Sequence, residues 1–124
     1  MKKFVIIFLI LISIFGVYGN SIGVTSENEY FFKINYELNN LQLYLTNGNE
    51  ENVEKTLDVI RSYVYDYSKY LLLYDMYNEE VMNIVTFSAK AAKENNLEYI
   101  MMARTALINV YKKNFVVEQE SNHS

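Results

Sequence analysis

Apolar residues in this chain fall at helical intervals along most of its length. Phe31, Ile34, Leu38, Leu41 and Leu45 follow one another by three and four residues, which sets them on one stripe of an α-helix. A longer stripe, Val53, Leu57, Ile60, Val64, Tyr67, Leu71 and Tyr74, is the most regular in the sequence. It predicts a second helix from Glu50 to Tyr77 that, unbroken, would be about 42 Å long. Val81, Ile84, Val85, Ser88, Ala91 and Ala92 mark one side of a third helix, where small residues permit close packing. Leu97, Ile100, Met101, Leu107, Ile108 and Tyr111 mark a fourth that ends at Lys112-Lys113 or extends through Phe115 to Val117.

The boundaries carry their own signals. Ser26-Glu27-Asn28-Glu29 matches a capping box, with Ser26 facing the amide of Glu29 and Glu29 reaching back. Thr46-Asn47-Gly48 stops the first helix, because Gly48 suits the left-handed position past a helix end. Asn49 can cap the second helix, and Glu50 and Glu51 put negative charge at its positive end. Asn78 followed by Glu79 and Glu80 starts the third, and Asn95-Asn96 makes the last turn. Proline is absent, and beyond Gly48 no glycine interrupts the chain. Short connections make successive helices antiparallel, so the expected fold is all-α: a small four-helix bundle, or two stacked antiparallel helical hairpins.

The first nineteen residues follow a different pattern. Lys2 and Lys3 precede an apolar run from Phe4 to Phe15, and Val17-Tyr18-Gly19 puts small or modest side chains where a signal peptidase cuts. Residues 1–19 therefore read as an export signal, 20–117 as the helical domain and 118–124 as a polar C-terminal tail. The apolar run is shorter than the roughly 20 residues of a membrane-spanning helix, so membrane attachment is expected only if the signal stays uncleaved. The expected locations are the periplasm, the cell surface and the extracellular space.

Without the leader the chain holds nine basic residues (eleven less Lys2 and Lys3) against fifteen acidic, a net charge of −6. That argues against nucleic acid as a partner. Cysteine is absent, so no disulfide supports the fold, and thiol nucleophiles and thiolate metal sites are excluded. The only histidine, His123, is next to the last residue, which leaves no packed scaffold to orient an imidazole base. The acidic pairs Glu50-Glu51 and Glu79-Glu80 are accounted for by helix starts, without a metal. No cofactor is expected.

What remains is surface. Tyrosine occurs twelve times, and Tyr63, Tyr70 and Tyr77 recur every seven residues on the shoulder of the second stripe, where a ring packs half-buried between neighbouring helices or anchors a partner. Leu72, Leu73 and Met76 point away from that stripe, and Phe32, Tyr36 and Leu43 form a second stripe on the first helix, opposite its core side. These nine residues are the candidate interaction surface, for a protein partner or for a homo-oligomer. Arg104 interrupts the fourth stripe, and Asp75, near the core stripe late in the second helix, is the expected partner of a buried ion pair. The expected function is a protein-interaction module, including an acidic inhibitor or immunity-type role. The alternative is a small enzyme or metal-binding protein built on carboxylates and tyrosines.

Overall fold

The structure, a computed structural model, describes the backbone of residues 26–123 and the side chains of residues 26–113. The export signal read at residues 1–19 lies outside the described residues. Four helices follow in order: α1 (Glu27–Asn47), α2 (Glu50–Leu73), α3 (Glu80–Glu94) and α4 (Glu98–His123). There is no strand among the described residues. The backbone of α4 stays helical past Lys113 and through residues 118–123, where the sequence pattern reads as a polar tail.

Each of the first three helices ends on a residue in the left-handed region. Past α1 it is Gly48, with φ 70°. The Asn49 amide donates to the Tyr44 carbonyl at 2.9 Å and the Gly48 amide to that of Leu45 at 3.3 Å, the two reversed bonds of a Schellman turn. Past α2 the same turn is built without glycine. Asp75 has φ 57°, the Met76 amide donates to the Leu71 carbonyl at 2.7 Å, and the Asp75 amide to that of Leu72 at 3.2 Å. Aspartate tolerates this conformation better than most residues, which is why α2 stops here without a glycine to mark the place. The helix expected to reach Tyr77 therefore ends at Leu73 and measures about 36 Å. Past α3, Asn95 has φ 49°, and its amide and that of Asn96 both donate to the Ala91 carbonyl.

Helix starts follow the sequence in three cases of four. The Asn49 carboxamide oxygen accepts from the Asn52 amide at 3.2 Å. Those of Asn78 and Asn96 accept from the amides of Glu80 and Glu98, each at 3.0 Å. The capping box at Ser26 does not form. Ser26 makes no side-chain cap, and Glu29 turns along the helix to Lys33, 3.1 Å away.

Packing is richest within the hairpins α1/α2 and α3/α4. Contacts between α2 and α3 and between α4 and α1 close the square, with only a thin contact across the α1/α3 diagonal. This is an up-down-up-down four-helix bundle. Its core comprises Ile34, Leu38 and Leu41 of α1, Val53, Leu57, Ile60, Val64, Tyr67 and Leu71 of α2, Val81, Ile84 and Ala91 of α3, and Ile100, Ala103, Ala106, Leu107 and Val110 of α4. The stripes expected for α1 and α3 hold. On α2, Tyr74 is exposed, because the helix has already turned away. On α4 the stripe is corrected: Leu97, Met101 and Ile108 are exposed, and alanines fill the inward positions beside Ile100, Leu107 and Val110.

Candidate interaction surface

The nine surface candidates divide among three places. The first is the α1/α2 seam. Tyr67 is fully buried, and its hydroxyl donates at 2.7 Å to the carboxylate of Glu27, itself buried in the first turn of α1. The Tyr30 ring stacks on Tyr67 with centroids 5.4 Å apart and tilts against Tyr70 at the same distance. Tyr70 continues to Tyr74 at 4.7 Å. One heptad earlier, Tyr63 lies half-buried under the Lys33 ammonium, 5.6 Å from its ring centre. Tyr63 and Tyr70 therefore pack between neighbouring helices against the core, and so does Met76 in the turn after α2. Aromatic pairs of this kind each add about 0.5–1.5 kcal/mol beyond area burial.

The second place is the end of α2 and its loop. Leu72 is 62% exposed, Leu73 78% and Tyr77 43%. No two of these are a helical turn apart within α2. They surround the Schellman turn as separate projections.

The third is the outer side of α1, where Tyr36 is 60% and Leu43 53% exposed, with Phe32 half-buried one turn before Tyr36. The α1 residues that meet α4 are others, Asn28, Phe31, Asn39 and Gln42. The Phe31 ring meets that of Tyr111 at 4.7 Å, and the Tyr111 hydroxyl donates to the Asn28 carboxamide. Further along the same groove, Arg104 donates to the carboxamide oxygens of Asn39 and, at 3.1 Å, Gln42. The expected Arg104–Asp75 pair is thus not the one made. Asp75 sits exposed in the turn after α2, at the other end of the bundle from the first half of α4. Burial lowers the Arg104 pKa from its ordinary value, since the guanidinium loses water there.

Two residues that the sequence pattern places in the core stripe of the fourth helix join this side of the bundle instead. Met101 (66% exposed) and Ile108 (38%) stand on α4 flanking Arg104.

Glu37, on α1, is held above the usual carboxylate range by burial, against the opposing effect of the Asn40 amide that donates to it at 3.3 Å. A folded chain that binds this proton more tightly than the unfolded chain gains stability as pH falls through the carboxylate range and loses it as pH rises. Glu37→Gln is expected to leave stability at neutral pH equal or higher, and to reduce the change in Tm between about pH 4 and 6. A Tm profile identical to the parent's would contradict this.

Among the described residues no group of His, Asp or Glu side chains is arranged to hold a metal ion, and no helix is long and apolar enough to cross a membrane. No family model matches the chain, no curated protein matches it in sequence, and no solved structure matches it in fold.

Proposed function

We propose that this chain is an exported protein-interaction module that works through the apolar side of the bundle formed by α1 and α4. The observation that carries the reading is the exposure of Tyr36, Leu43, Met101 and Ile108 on two adjacent helices whose core positions are already filled. Large contiguous apolar patches on a small domain mark binding surfaces, and these four side chains are proposed as one such patch. The apolar run and cleavage pattern of residues 1–19 support export, to the periplasm, the cell surface or the medium.

Tyr36→Glu and Met101→Glu are expected to keep the helical circular dichroism spectrum of the parent while abolishing the protein's complexes in the exported fraction of its own cells, read by native-gel mobility. Loss of helicity in both variants would reassign the residues to the core. Folded variants with complexes unchanged would remove this face from the function.

A further inference from the structure

We infer that the α1/α4 face receives an acidic amphipathic helix of another protein, with apolar side chains at positions i and i+7 and a carboxylate between them that pairs with Arg104. The inference rests on the proposed binding role of this face and specifies its partner.

The two helices present the same spacing. On α1, Asn39 stands three residues after Tyr36 and four before Leu43; on α4, Arg104 stands three after Met101 and four before Ile108. Residues seven apart lie nearly in line on a helix, about 10 Å from each other. The helices are antiparallel and Arg104 is bonded to Asn39 at the centre, so Tyr36 is level with Ile108, and Leu43 with Met101. Along each helix the two exposed apolar residues thus stand about 10 Å apart, with the Arg104–Asn39 contact between the two pairs. A helix laid along the groove meets this array with apolar anchors two turns apart and a charge one turn from each.

Charge decides the occupant. Arg104 bonds only neutral carboxamides, and no carboxylate pairs with it among the described residues. Of the α1 carboxylates closest in sequence to Asn39, Glu37 accepts from Asn40 and stands about 160° round the helix from Asn39, and Glu29, ten residues before it, pairs with Lys33. Lys112, exposed one turn beyond Ile108, adds a second positive charge. On a chain of net charge −4 this is a basic spot within an apolar face. A second copy docked about a two-fold axis would set cation against cation, at a cost. An incoming carboxylate would instead receive the forked guanidinium while apolar contacts exclude water around it.

The test uses the full-length exported protein and two fluorescein-labelled helical peptides with leucines at i, i+3 and i+7, one bearing glutamate and the other lysine at i+4. The glutamate peptide is expected to bind, the lysine peptide to bind about ten-fold more weakly or worse, and Arg104→Glu to reverse that preference. Arg104→Met, which keeps the stem, should remove the preference with helicity unchanged. Equal binding of both peptides, or a preference untouched by either variant, overturns the acidic partner while leaving the apolar face as a binding surface. A parent that sediments as a dimer dissolved by Tyr36→Glu makes a second copy the occupant and overturns it too. Failure of both peptides overturns the inference, and the complexes seen with Tyr36→Glu and Met101→Glu report separately on the proposed function.

Discussion

Ile60→Ala is expected to lower the free energy of unfolding by about 2–5 kcal/mol, with urea melts of parent and variant as the measurement. Ile60 is fully buried midway along α2, which packs against both α1 and α3. Truncation removes three carbons from water-free contact and leaves a cavity that a helix held on two sides cannot close. A domain of this size has a total stability of about 5–15 kcal/mol, so the loss is a large fraction of the whole. No disulfide limits the unfolded chain and no cysteine is present to form one, so the core carries that fraction unaided. Val64→Ala at the next turn should show the same direction with a smaller loss. Unchanged urea midpoints in both variants would mean that α2 turns another face to the core.

Most of this architecture was legible from spacing, because a bundle helix exposes its identity through the three-four recurrence of its buried positions. Every residue of the α2 stripe from Val53 to Leu71 is buried, as the pattern requires. Two misreadings have definite causes. Helix α2 ends at Leu73 ahead of a left-handed Asp75, and nothing local separates that aspartate from one on a helix surface; the hydrogen bond from the Met76 amide to the Leu71 carbonyl makes the difference. On α4 the spacing Ile100, Ala103, Leu107, Val110 was present, but weighting by side-chain size drew Met101 and Ile108 into the stripe in place of the alanines. Small inward residues let helices approach closely, so size is a poor guide to which face is buried.

The candidate surface was legible in a different way. Exposure of Tyr36, Leu43, Leu72 and Leu73 follows from their position off the core stripes, and a helix wheel is enough to find it. Which of them belong together is tertiary. It depends on α4 running beside α1 in a register that brings Arg104 to Asn39 and Gln42, sixty-five and sixty-two positions away. Sequence separation of that size leaves no local trace. The half-buried tyrosines were more legible: their place on the shoulder of the α2 stripe already suits packing between neighbouring helices, and Lys33 and Tyr30 of α1 are what Tyr63 and Tyr70 pack against.

Tyr67→Phe is the second large effect expected, a loss of about 1–3 kcal/mol of stability for the removal of one oxygen. The Tyr67 hydroxyl is buried and donates at 2.7 Å to Glu27, whose side chain lies against α2 from the first turn of α1. A carboxylate at the start of a helix is favoured by the helix dipole, but burial deprives it of water, and each donor it loses raises the cost of keeping it inside. The substitution keeps the ring, its stack with Tyr30 and the packing volume, so the change isolates the hydrogen bond. Glu27→Gln retains an acceptor for the hydroxyl and should cost less than Tyr67→Phe. Combining Tyr67→Phe with Glu27→Ala tests the pairing directly: the double variant is expected to lose less stability than the sum of the two singles, by about 0.5–3 kcal/mol of coupling in urea denaturation. Strict additivity would show that the Tyr67 hydroxyl and the Glu27 carboxylate contribute independently.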